Sequence, residues 1–206
     1  MAQDQYDVAS IPVLEAAVAE QIASNTYSFE TNLALLNLYQ LKPEASKEAV
    51  VVQILAKALM SLPSSDFSLC LAVTSKHHHK SGAVAWLCTL SNHLETGDFK
   101  AFWTASSGGA FDVSAVAGFH DAVRGFVLGL VEATYQKVPL AALGELLQLE
   151  GAALDAAIGA RGFSKGAADV VAVPLNAENQ MKPEGAKETI DFRALAPVYE
   201  MTMGAC

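Results

Sequence analysis

Three of the five histidines in the sequence fall in one run, Ser75-Lys76-His77-His78-His79-Lys80-Ser81. Imidazole is the commonest protein metal ligand, so this run raises metal-assisted hydrolysis before any other chemistry. The hydrolytic HxH zinc signature also needs a serine eight residues after its second histidine and an aspartate three further on. Those positions are Leu87 and Leu90, both on an apolar helical stripe. Adjacent histidines also diverge in direction, and structural zinc wants four well-placed ligands. The run therefore reads as a solvated loop between helices, and no metal is expected there.

No covalent chemistry stands out elsewhere. Cys88 lies near His93 in sequence, but a Cys–His pair needs facing side chains in a cleft and a third group to orient the base. Cys70 and Cys88 sit beside apolar stripes and read as small core residues. Neither GxGxxG nor GxxxxGK[ST] occurs, and the Ser106-Ser107-Gly108-Gly109 loop lacks a following lysine, so no nucleotide cofactor is implied. Three cysteines with no CxxC spacing fit free thiols in a reducing compartment. The N-terminal stretch is acidic and has no apolar core, so a soluble, cytoplasmic chain is expected.

The elements that carry these residues are helical. Hydrophobic residues make up 52% of the 206 positions and charged ones 17%, which excludes a disordered chain. Pro12 can open a helix whose apolar face includes Leu14, Val18 and Ile22. Phe29, Leu33, Leu36 and Tyr39 mark a second helix that stops before Lys42-Pro43. Val51, Ile54, Leu55, Ala58 and Leu59 mark a third, which Pro63 ends. Ser64 to Asp66 can cap a fourth carrying Phe67, Cys70 and Leu71. Val84, Leu87, Leu90 and Leu94 line a fifth, and Asp98 can cap a sixth with Phe99, Phe102 and Trp103. That aromatic triplet is either a helix–helix core contact or an exposed partner face, and the core contact is preferred. A long seventh helix presents Val116, Phe119, Val123, Phe126, Val127, Leu130 and Val131. Short connections between such helices imply a stacked array.

The character changes after Gln136. Two short helices precede Ala168 to Leu175, the best strand candidate. Asn176 to Glu188 reads as a wing or hairpin turn, Thr189 to Asp191 as a return strand, and Phe192 to Met203 as a final helix. That is the order of a winged helix, giving a division into residues 1–136 and 137–206. Nucleic acid is not the expected ligand. The formal net charge is −9, with 7 basic against 13 acidic residues before Lys137 and 6 against 9 from there on. The candidate reading helix, Gly151 to Arg161, offers Asp155 beside Arg161, and such a surface repels phosphate about as much as it attracts it.

Helical repeats followed by a winged helix is the layout of PCI-type subunits, which also serve in the proteasome lid and the signalosome. Four runs are more specific: Tyr27 to Glu44 (YSFETNLALLNLYQLKPE), Val51 to Val73 (VVQILAKALMSLPSSDFSLCLAV), Leu94 to Trp103 (LETGDFKAFW) and Lys187 to Phe192 (KETIDF). In that order they resemble the k subunits of eukaryotic translation initiation factor 3. The resemblance implies a mainly α protein, a HEAT-like helical domain followed by a winged helix. It also implies a non-catalytic scaffold that pairs chiefly with subunit l and meets the small ribosomal subunit through the complex. No catalytic residue and no cofactor come with it. The partner surface expected on this reading has two parts: a strand edge at Val170, Val171 and Val173, and the last helix with Phe192, Leu195, Val198 and Tyr199 on one stripe.

Overall fold

The computed structural model describes residues 8–109, 111, 116–166 and 169–180, together with Leu195, Pro197 and Met201. After a short 3-10 turn, α1 (Ile11–Ala23) begins with Pro12 in its first turn, where the missing N–H costs no intrahelical bond. It is followed by α2 (Phe29–Leu41), α3 (Glu48–Met60) and α4 (Asp66–Val73). α5 (Gly82–Thr96), α6 (Phe99–Ser106) and α7 (Phe119–Thr134) complete the helical array. The fold is mainly α, as the apolar spacing predicts.

Caps follow the local chemistry. Asp98 accepts from the Ala101 N–H at 3.1 Å and starts α6. Gly97, at φ 76°, takes the left-handed position that closes α5, and Asp98 N–H reaches back to His93 O at 2.9 Å. At α4 the capping oxygen comes from Ser64, which accepts from Asp66 N–H at 3.2 Å.

α3 is the centre of the array. It packs against α1, α2, α4, α5 and α7. Val51, Val52, Ile54, Leu55, Ala56, Ala58 and Leu59 are all buried, so the helix has almost no solvent side. α2 likewise buries Leu35, Leu36, Leu38 and Tyr39, a wider face than period alone predicts. Phe99, Phe102 and Trp103 all lie in the core, so the aromatic triplet is a packing contact and no partner face.

Beyond Gln136 come β1 (Lys137–Pro139), α8 (Leu140–Leu147), α9 (Gly151–Ala160), β2 (Ser164–Lys165) and β3 (Val170–Ala172). The strands form one antiparallel sheet in the order β1-β3-β2. Two strands escape a reading of the sequence, because neither a three-residue nor a two-residue strand is long enough to show a period. The hairpin of β3 is formed with β2, before it in the chain. The return strand expected at Thr189 to Asp191 lies outside the described residues, as does most of the wing. The described part of that wing, residues 176–180, is a knot against α7. Asn179 Nδ2 donates to Glu132 O at 3.1 Å, Pro174 O at 2.9 Å and Tyr135 O at 3.4 Å. Asn176 Nδ2 also reaches Glu132 O, at 2.8 Å.

The two regions share one core. Trp103 Nε1 donates to Leu146 O at 2.9 Å, and Arg124 Nε to Leu147 O at 3.2 Å while its guanidinium lies 5.4 Å from the Trp103 ring centre. α7 thus belongs to both: it packs on α3 on one side and on α8 on the other.

Candidate protein-interaction surface

The histidine run is built differently from a solvated loop. His78–Lys80 forms a 3-10 turn that puts His78 inside, 5% exposed, with Nε2 2.9 Å from Ser46 Oγ. His79 Nε2 lies 3.1 Å from Thr74 O, and the exposed His77 ring meets His78 edge-on at 5.5 Å. The three rings face three different partners, a geometry suited to holding the α4–α5 connection against the start of α3. Burial pushes the His78 imidazole below its ordinary pKa, His77 and His79 add to that, and Glu48 opposes it. At neutral pH it is an uncharged packing residue.

The thiols are equally quiet. Burial, with Asp66 nearby, raises Cys70 to about 11, and burial also raises Cys88. A nucleophilic cysteine needs the opposite shift. These environments favour the thiol, so neither side chain is prepared to attack a substrate.

The expected strand edge needs correction. β3 is the central strand, with β1 bonded on one side and β2 on the other. Val171 is fully buried and Val173 is 5% exposed, with Val173 N–H bonded to Gln136 O at 3.0 Å. Val170 is half-buried and pairs with Pro139. These valines form the floor of the sheet, and their main-chain groups are taken by neighbouring strands. Among the described residues the outer strands are β1 and β2 instead. β1 carries a proline and is only three residues long, and β2 is fully exposed, with Lys165 paired to Asp155. Such short, charged or proline-bearing edges resist casual pairing. Of the last-helix residues, Leu195 is helical and 39% exposed. Phe192, Val198 and Tyr199 lie outside the described residues.

The surface around α9 does not suit a phosphate backbone. Its apolar side chains Leu154 and Ile158 are buried beneath it. The nearby cations are engaged: Lys165 with Asp155, and Arg161 with Glu132 Oε2 at 3.3 Å and Gly125 O at 3.1 Å. The adjoining hollow, about 720 Å³, is rimmed by Glu145, Glu150 and Asp169. Of these carboxylates Glu145 is paired with Lys100 at 2.7 Å.

A mainly α array fused to a small sheet is a PCI-like architecture. The CSN8/PSMD8/EIF3K family matches residues 45–184, and the chain belongs to it. Three relatives bear the name "Eukaryotic translation initiation factor 3 subunit K". That of Nematostella vectensis is 35% identical over 196 residues, covering 95% of this chain and 90% of its own. The Homo sapiens protein is 33% identical, covering 95% and 89% respectively. The Drosophila erecta protein is 32% identical over 190 residues, covering 92% and 85%.

Proposed function

We propose that the chain is a non-catalytic scaffold subunit of eukaryotic translation initiation factor 3, acting in initiation at the small ribosomal subunit through protein contacts. The observation that carries this reading is similarity along 95% of the chain to relatives bearing that subunit name. The raised thiols and the inward-facing His78 support a protein without chemistry of its own. The sheet order β1-β3-β2, with two helices between its first two strands, supports a winged helix in the C-terminal part. On this reading the subunit is cytoplasmic, pairs chiefly with subunit l, and uses the last helix around Leu195 and Tyr199 as one contact.

Affinity purification of the tagged full chain from native lysate tests this directly. Initiation factor 3 subunits should co-purify in stoichiometric amounts, with subunit l the last to leave as salt is raised. Recovery of proteasome-lid or signalosome subunits in their place would overturn the reading. Tyr199→Glu should weaken incorporation while the isolated chain stays folded, and unchanged co-migration would remove the last helix from the interface.

A further inference from the structure

We draw no further inference here: the strongest candidate, the two separate hollows that share Ala122 on α7, one lined by the buried Lys57 and the other by Arg161, carries nothing because both cations have partners within the chain and nothing in the structure shows what covers that face.

Discussion

The helical array and the sheet-bearing region share one hydrophobic core, but they differ in how far directed hydrogen bonds supplement it. In the array, α3 is surrounded by other helices, and stability comes from side chains such as Leu35, Ile54, Leu87 and Phe102, none of them measurably exposed. The sheet region has strands of only two and three residues, too small to bury a core alone. It is fastened to α7 and α6 by directed hydrogen bonds from Trp103, Arg124, Asn176 and Asn179 to main-chain carbonyls. Loss of one methylene from the array is spread over many contacts. Loss of the Asn179 amide from the clasp takes a part-buried donor from Pro174 O and Tyr135 O, while Glu132 O keeps its bond from Asn176.

Substitutions can break this contrast, and the largest effect belongs to the array. Phe102→Ala empties a fully buried site and should cost about 3–5 kcal/mol in denaturant unfolding, lowering the midpoint for the whole chain. Asn179→Ala should cost about 1–2 kcal/mol, since Pro174 O and Tyr135 O lose a part-buried donor. Its signature is regional: amide exchange should speed up in β1 and β3 while α3 stays protected. Uniform acceleration would show that the clasp and the array are one cooperative unit. Trp103→Phe keeps the ring packing and removes only the bond to Leu146 O, so about 1 kcal/mol is expected.

The smallest effect is a pH dependence at the α4–α5 turn. His78 has a folded pKa below its unfolded one, so the unfolded chain binds more protons in that window. Stability should therefore be unaffected above the ordinary imidazole value and should fall as pH drops below it. The neighbouring His77 and His79 act in the same direction on His78, Glu48 opposes them, and Lys76 and Lys80 flank the turn. His78→Gln should flatten that slope between pH 7 and 5. An unchanged slope would assign it to other groups.

Much of the array was legible in the chain. The predicted faces at Val84, Leu87, Leu90 and Leu94, and the Asp98 cap, appear as expected, because helical period and capping are local properties. The sheet was half legible. Val170 to Ala172 stood out as β-branched, but its partners did not, since β1 and β2 are too short to carry a pattern. An edge strand and a central strand look alike in sequence, and the neighbours alone decide which it is. The histidine run is the exposed connection its polarity marks, except at His78, and only the position of Ser46 explains why that ring turns inward. The Asn176 and Asn179 clasp had a faint signal, two amides three residues apart, with no hint of the carbonyls they reach.

The sequence by itself determined the helices, their caps, the acidic balance and the family, because each is written in nearest neighbours, composition or extended similarity. Tertiary structure alone decided that β3 is central, that His78 turns inward and that Lys57 is buried. These placements depend on which distant residues arrive at a given face, and the free energy of burial is set by that meeting rather than by the residue alone.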